Sequence, residues 1–251
     1  MGRKPFGVLM ESLTIIPAVD IKGGRAVRLH QGDRDRITDY GDPLERAKEF
    51  QSAGASWLHL VDLDAAFGDG SNWKIIERIV SEAGLSVEVS GGIRDDATLD
   101  RALSSGCQRV TIGTAAIEKP EWIAEKLNQH GEKIIVALDL RDGLVATRGW
   151  TDASSRYQEV ISRLDRQGCS RYMVTDIARD GTLSGPNLEL LNSVAQVTSA
   201  KLIASGGIAN LRDISDLRTL VGAGLESAII GKALYEGSFT LKEAIEMARG
   251  E

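Results

Sequence analysis

The sequence has few of the residues that hold small secreted or metal-dependent folds together. Its 251 residues include only 2 cysteines, 3 histidines and 5 prolines. Cys107 and Cys169 belong to no CxxC motif or Cys/His cluster, so the pattern predicts neither a disulfide framework nor a zinc site. Both cysteines are expected to be buried in a protein of a reducing compartment. Since a P-loop and a GxGxxG motif are also missing, we expect no metal and no cofactor.

Long hydrophobic runs and an excess of positive charge are missing as well. No stretch approaches the roughly 20 apolar residues that a membrane span requires, and the N-terminus lacks the apolar core of a secretion signal. The 36 acidic residues outnumber the 30 basic ones, which gives a formal charge of −6. We therefore expect a cytoplasmic protein that binds neither nucleic acid nor membranes, and in which local groups must hold any anionic ligand.

Short apolar segments alternate with longer segments of helical period along the chain. This alternation is typical of βαβ units, whose parallel strands are covered on both faces. The predicted strands are Thr14–Val19, Trp57–Leu63, Ser86–Val89, Arg109–Ile112, Lys133–Leu138, Arg171–Ile177, Lys201–Ala204 and Ser227–Ile230. The predicted helices are Pro43–Ala53, Asn72–Glu82, Asp95–Ser105, Pro120–Gln129, Ser154–Gln167, Asn187–Val197, Leu211–Leu220 and Leu241–Ala248.

The two halves of the chain also resemble each other. SGGIRDD and VTIGTAAIE in the first half correspond to SGGIANL and AIIGKALYE in the second, and Asp20 corresponds to Asp139. The sequence therefore predicts an α/β fold, a (β/α)8 TIM barrel built from two duplicated half-barrels. We expect a short leader over residues 1–13, a single barrel domain over residues 14–251, and a monomer.

Two Gly-Gly pairs end equivalent strands of the two predicted half-barrels. A backbone without a Cβ can approach a phosphate closely, and the next helix N-terminus adds partial positive charge. A tight turn between strand and helix is the alternative explanation for either pair alone. Two facing phosphate sites predict a long ligand with a phosphate at each end. One site comprises Gly91, Gly92, Gly113 and Thr114, and the other Gly206, Gly207, Gly231 and Lys232.

The active site of such a barrel lies at the C-terminal ends of its strands, and this rule selects further candidates. Asp20 and Asp180 lie in opposite halves, where two carboxyl groups in different environments can serve as base and acid. Asp139, Thr175 and Ser90 are candidates for substrate binding. A helix cap or a salt bridge is the structural alternative for Asp20 or Asp180 alone, and an ordinary β-branched strand residue is the alternative for Thr175.

Two arginines follow the repeated aspartates and are expected in loops over the barrel mouth. Arg28 follows Asp20, and Arg148 follows Asp139; either guanidinium could bind a carboxylate or phosphate through two parallel hydrogen bonds. Trp150 could stack on a flat ring of the substrate, although packing within the loop is an equal alternative. His59 is predicted to be a core residue.

Six motifs, in order, resemble those of the phosphoribosyl isomerases of histidine biosynthesis. The segments GSN at 70–72 and RGW at 148–150 are most similar to the actinobacterial branch named phosphoribosyl isomerase A, whose members also serve tryptophan biosynthesis. The six motifs are IPAVD with GRAVRL and QG in 16–32, LHLVDLDAAFG in 58–68, SGGIRDD in 90–96, TDIARDGTLSGPN in 175–187, IASGGI in 203–208 and IIGKALYEG in 229–237.

The resemblance implies an aldose–ketose isomerase that acts on small phosphoribosyl substrates by an Amadori rearrangement, without a cofactor. Its substrate would be phosphoribosylformimino-aminoimidazole carboxamide ribonucleotide, ProFAR, with Asp20 as general base and Asp180 as general acid. Phosphoribosylanthranilate, the second substrate of the actinobacterial branch, has one phosphate and one carboxylate. Arg28 or Arg148, together with Trp150, would then replace the second phosphate site.

Three alternatives remain at this point. The chain could be an isomerase of only one pathway, the cyclase subunit of imidazole glycerol phosphate synthase, or a barrel that only binds a phosphorylated ligand. A cyclase is expected to carry CLDV and a GVNF-like stretch, whereas the corresponding positions are AVDI at 18–21 and LHQG at 29–32. Both Asp20 and Asp180 are present, which argues against a role in binding alone.

Overall fold

The computed structural model describes residues 12–30, 33–147 and 152–250. Arg148 and Trp150, and most of the predicted leader, lie outside the described residues. The strands in these ranges are β1 Thr14–Lys22, β2 Arg25–His30, β3 Asp33–Asp39, β4 Trp57–Asp62, β5 Ser86–Ser90, β6 Arg109–Ile112, β7 Ile134–Arg141, β8 Leu144–Thr147, β9 Asp152–Arg156, β10 Arg171–Asp176, β11 Lys201–Ser205 and β12 Leu225–Ile230.

The helices surround these strands and join most of them. They are α1 Pro43–Ser52, α2 Leu63–Phe67, α3 Trp73–Glu82, α4 Asp96–Ser104, α5 Thr114–Glu118, α6 Pro120–His130, α7 Tyr157–Arg166, α8 Leu188–Ala195, α9 Leu211–Arg218, α10 Lys232–Tyr235 and α11 Leu241–Arg249.

Eight parallel strands close into a barrel, which confirms the predicted fold class. Following the hydrogen bonds from β1, the order is β4, β5, β6, β7, β10, β11 and β12, and β12 pairs again with β1. The two halves correspond, because β1 and β7 are each followed by two antiparallel strands, β2 with β3 and β8 with β9. Closure leaves no free edge among the eight barrel strands.

The two antiparallel additions are the main departure from the predicted elements. They were expected to be loops, because their polar segments lack the apolar runs of the barrel strands. The pairing with β2 extends β1 beyond the predicted end at Val19 to Lys22. Ser154 and Arg156, predicted as the first turn of a helix, belong to β9, so α7 begins at Tyr157. The short helices α2, α5 and α10 were also missed, since each is at most 5 residues long.

Side chains alternate between the two faces of each barrel strand, so those on the inner face form a column that ends at the mouth of the barrel. In β1, Ile16 and Ala18 face the barrel interior, while Val19 and Ile21 pack in the larger core with the helices. Because side chains alternate with a period of two, Asp20 continues the inner column at the upper end of the strand. Ile135 and Ala137 lead in the same way to Asp139 in β7, and Met173 leads to Thr175 in β10. Strand period alone therefore brings these polar groups to one place.

Ion pairs fill the opposite end of the barrel. Arg171, which is 2% exposed, pairs with Glu226 and with Glu132, and Glu226 also lies 3.3 Å from Arg109. Each buried charge has a partner of opposite sign, which offsets much of the cost of removing it from water. This end is therefore closed by structural ion pairs.

The core predictions for His59 and the cysteines are confirmed. His59 is buried, and its Nδ1 lies 2.8 Å from Oε1 of the buried Glu88. Cys107 and Cys169 are both buried and unpaired. Burial raises the pKa of the Cys169 thiol to about 11. Within the described ranges, no helix is both long and apolar enough to cross a bilayer.

Candidate active site

A cavity of about 280 Å³ opens at the C-terminal ends of the barrel strands. The structure thus brings most of the predicted site residues together. The cavity is lined by Asp20, Arg28, Ser90, Asp139, Thr175, Asp180, Gly206, Gly207, Gly231 and Lys232. The predicted residues of the other phosphate site, Gly91, Gly92, Gly113 and Thr114, lie outside this lining.

Arg28 lies in strand β2, not in the loop that was predicted for it. The pairing of β2 with β1 places Val27 opposite Asp20, so Arg28 reaches back over the mouth. Its Nη1 donates to Oδ2 of Asp20 at 2.8 Å, and its Nη2 donates to the carbonyl oxygen of Ala18 at 2.9 Å. The side chains of Arg28 and Asp20 are only 16% and 15% exposed, so this ion pair is shielded from solvent.

Tyr235 supports this ion pair from α10 and was not among the predicted site residues. The Arg28 guanidinium carbon lies 4.9 Å from the centre of the Tyr235 ring, and the Tyr235 hydroxyl donates to the carbonyl oxygen of Ala18. Burial, with the nearby Asp20, raises the pKa of Tyr235 to about 12, so the hydroxyl stays protonated. The sequence did contain a signal for this residue, because Tyr235 lies one helical turn after Gly231, a predicted site residue.

Asp180 lies in the same cavity in a different environment. Burial, together with the charges of Asp20 and Asp139, raises the pKa of its carboxyl group to about 6, against the opposing effects of Arg28 and the N–H of Gly181. Asp180 is therefore partly protonated near neutral pH. The cavity thus contains one carboxylate paired with an arginine and one carboxyl group that can carry a proton.

Lys232, Asp139 and Thr175 complete the walls of the cavity. The Lys232 ammonium donates to the carbonyl oxygen of Gly181 at 2.9 Å and lies 3.5 Å from Glu236. Lys232, which was predicted to bind a phosphate, therefore holds the loop that carries Asp180. Asp139 and Thr175 are aligned in the pairing of β7 with β10, and Thr175 is buried.

The Gly-Gly pairs allow close packing between neighbouring loops. A Cβ at Gly207 would meet the carbonyl oxygen of Gly185, and a Cβ at Gly92 would lie 2.6 Å from the Cβ of Ala65. At Gly206 a Cβ would lie 3.2 Å from Oδ1 of Asp180. The tight-turn explanation considered from the sequence is thus supported for both pairs, and it is compatible with phosphate binding by their N–H groups.

This packing gives a stability prediction. We expect Gly207→Ala to lower the free energy of unfolding by about 3 kcal/mol or more, because alanine is strained at φ +83° and its Cβ meets backbone. Gly222→Ala is the control, since φ there is not positive and nothing lies within 4 Å of the added Cβ. Urea unfolding measures both variants. Equal midpoints and slopes for the two would contradict the packing role of Gly207.

Basic side chains at the rim of the mouth were also missed from the sequence. Phe67, at the end of α2, lines the cavity, and the Arg34 guanidinium carbon lies 3.7 Å from the centre of its ring. The Lys22 ammonium lies 5.7 Å from the same ring. Arg94 donates to the carbonyl oxygen of Ala65 in α2 at 2.6 Å. Three cations therefore surround α2, the helix that packs against Gly92.

Comparisons with known proteins identify the family of the chain. The family model described as "Histidine biosynthesis protein" matches residues 14–240. A relative from Acidothermus cellulolyticus is 55% identical over 96% of this chain and 100% of its own length. Its name is 1-(5-phosphoribosyl)-5-((5-phosphoribosylamino)methylideneamino)imidazole-4-carboxamide isomerase.

Two further relatives come from other actinobacteria. A protein from Streptomyces coelicolor named phosphoribosyl isomerase A is 52% identical over 94% of this chain and 99% of its own. A Bifidobacterium adolescentis protein, with the same name as the Acidothermus relative, is 52% identical over 95% of this chain and 100% of its own. The chain therefore belongs to the histidine biosynthesis protein family.

Proposed function

We propose that this protein is the isomerase that converts ProFAR, an aminoaldose with a phosphate at each end, to the corresponding aminoketose. The observation that carries the proposal is the placement of two carboxyl groups of different character, Asp20 and Asp180, on one cavity. An Amadori rearrangement needs one group that donates a proton and one that accepts a proton. The isomerase names of the relatives support the same reaction.

Asp180 is proposed as the general acid. The reaction begins when a proton is given to the ring oxygen of the ribose, so that the ring opens to an imine. A carboxyl group whose pKa is about 6 still carries this proton in a useful fraction of molecules near neutral pH. Burial is the main cause of this raised pKa.

Asp20 is proposed as the general base. Its carboxylate removes the proton from C2′ of the opened sugar, and the resulting enolamine gains a proton at C1′ and loses the hydroxyl proton at C2′ to give the ketose. The ion pair with Arg28 occupies Oδ2 of Asp20 in this structure. The Arg28 guanidinium also lies against Gly231, so a phosphate bound there would attract it away from Asp20.

The two ends of the substrate would bind at opposite sides of the mouth. One phosphate would contact the N–H groups of Gly206, Gly207 and Gly231, which line the cavity. The other would bind near Gly91 and Gly92, beside α2 and the three cations that surround it, Lys22, Arg34 and Arg94. Because α2 packs on Gly92, α2 must move slightly away from Gly92 to admit a phosphate.

Steady-state turnover of the purified protein on ProFAR and on phosphoribosylanthranilate tests this proposal. We propose activity on both substrates, because the motifs GSN and RGW and the relative named phosphoribosyl isomerase A support a double role. Activity on ProFAR alone would identify an isomerase of one pathway. A folded protein inactive on both substrates would contradict the isomerase proposal.

Arg148 is proposed to serve the anthranilate substrate, with Trp150 stacked on its ring. We expect Arg148→Ala to lower kcat/KM for phosphoribosylanthranilate on the order of tenfold more than for ProFAR, because a hydrogen-bonded charge pair with the carboxylate is lost. Arg166→Ala is the control, since Arg166 lies on the exposed side of α7 and bonds only within its own helix among the described residues. Equal losses on both substrates would refute this role of Arg148.

A further inference from the structure

One asparagine joins the first antiparallel turn of the chain to the end of a barrel strand. The Asn72 side-chain Nδ2 donates to Asp62 at 2.7 Å and to Asp64 at 2.8 Å, while its Oδ1 accepts the N–H of Gly24 at 3.0 Å. Asp64 also accepts the N–H of Gly23 at 2.7 Å. Both N–H groups of the turn between β1 and β2 are therefore anchored to the segment that follows β4, one at Asp64 in α2 and one at Asn72 before α3.

The anchoring side is itself rigid. Asp62 is fully buried, and its carboxylate accepts the N–H groups of Ala65 and Asn72 in addition to the Asn72 side chain. A buried carboxylate with three donors is held in one orientation, because the loss of any donor leaves part of its charge without compensation. Asn72 is only 7% exposed. The turn is thus bonded to a fixed group and not to a mobile surface.

The duplicated half of the chain shows that this use of Asn72 is not required by the fold. There Asn187 donates to Asp176 across 11 residues, as Asn72 donates to Asp62 across 10. Asn187 uses its Oδ1 to cap helix α8 at the N–H of Leu190, which is the usual role of asparagine at this position. Asn72 precedes helix α3 in the same way but makes no capping hydrogen bond with its side chain. The Oδ1 of Asn72 accepts the N–H of Gly24 in the turn instead.

We infer that Asn72 is a positioning residue that sets the orientation of Asp20 and Arg28 through the turn between β1 and β2. The turn connects the strand that carries Asp20 to the strand that carries Arg28, and those side chains meet at 2.8 Å. This inference rests on the proposed roles of Asp20 and Arg28. A small shift of a reacting group can cost on the order of 100-fold in rate, although binding is retained.

Asn72→Asp tests the inference, because it keeps the shape of the side chain, removes both N–H donors and adds a third carboxylate beside Asp62 and Asp64. We expect kcat to fall on the order of 10- to 100-fold, with KM changed by less than about twofold, since the glycine N–H groups proposed to bind the phosphates remain. Adding Asp64→Asn should recover part of this loss, because it restores an amide donor between positions 64 and 72.

Two further variants separate positioning from lost stability. Asp64→Ala removes the link to Gly23 at a half-buried position and should lower kcat less than Asn72→Asp does, while the protein remains folded. Thr240→Ala removes the capping box of α11 and is expected to lower the urea midpoint of unfolding without affecting kcat. If kcat fell in proportion to the loss of stability in all four variants, the double variant included, the inference would be overturned.

Hydrogen exchange distinguishes this inference from the proposed function. In Asn72→Asp, exchange at the N–H groups of Gly23 and Gly24 should become at least about tenfold faster, whereas Thr240→Ala should leave it unchanged. If the wild-type protein turns over neither substrate, the proposed function fails, and exchange alone then decides whether Asn72 holds the turn. Unchanged exchange, or an active wild type with unaltered kcat in Asn72→Asp, would refute the role of Asn72.

Discussion

Replacing Asp20 by asparagine is expected to lower kcat by about 10² to 10⁴ while leaving the fold intact. Asparagine has the shape of the aspartate but cannot accept the C2′ proton. It can still accept a hydrogen bond from Arg28, so the guanidinium keeps a partner along with the carbonyl oxygen of Ala18. Steady-state kinetics on ProFAR measures kcat, and circular dichroism shows whether the fold is intact.

The same variant should also change the titration of Asp180. The charge of Asp20 is one cause of the raised pKa of Asp180, so its removal should lower that pKa from about 6. Carbon-13 NMR of the labelled carboxyl groups measures the shift. Asp100→Asn is the control, because Asp100 is exposed on α4, and it should alter neither kcat nor the titration. An active Asp20→Asn protein would remove Asp20 from the proposed mechanism.

The barrel was predictable because its signals are local and repeated. The eight strands are nearly continuous apolar segments, and helix starts carry recognisable chemistry, such as the Asp42 side chain that accepts the N–H groups of Leu44 and Glu45. The antiparallel strands had no such signal. Segments such as β3, with sequence DRDRITD, contain too few apolar residues for periodicity to indicate a strand. Their structure depends on pairing with strands already in place.

The candidate site was predictable to the extent that strand ends define it. Asp20, Asp139 and Thr175 follow from the alternation of side chains, and Asp180 follows from the motif after β10. Contacts between distant segments had no signal in a single sequence. The placement of Arg28 against Gly231, and the stacking of Tyr235 below it, depend on how the turn after β1 folds over the mouth. The packing of α2 on Gly92 is a contact of the same kind.

Asp180→Asn is expected to abolish the pH dependence of the reaction together with most of its rate. In the wild type, kcat/KM should fall as the pH rises through about 6, because the proposed acid loses its proton. Asparagine cannot supply a proton, so the variant should be slower by about 10² to 10⁴ and lack this step in its profile. A wild-type profile without a step near pH 6 would contradict the assignment of Asp180 as the acid.

Asp180→Asn should make the protein more stable at high pH although it lowers the activity. The pKa of Asp180 is about 6 in the folded protein against 3.8 for an ordinary aspartate, so the protonated carboxyl stabilises the fold. This contribution is complete below about pH 4 and is lost as the pH rises through 6. Asparagine resembles the protonated form at every pH. We therefore expect Asp180→Asn to match the wild type near pH 4 and to exceed its unfolding free energy at pH 8 by up to about 3 kcal/mol. Urea unfolding of both proteins at the two pH values measures the difference. Equal stability of the wild type and the variant at pH 8 would show that the buried Asp180 carboxylate does not destabilise the fold.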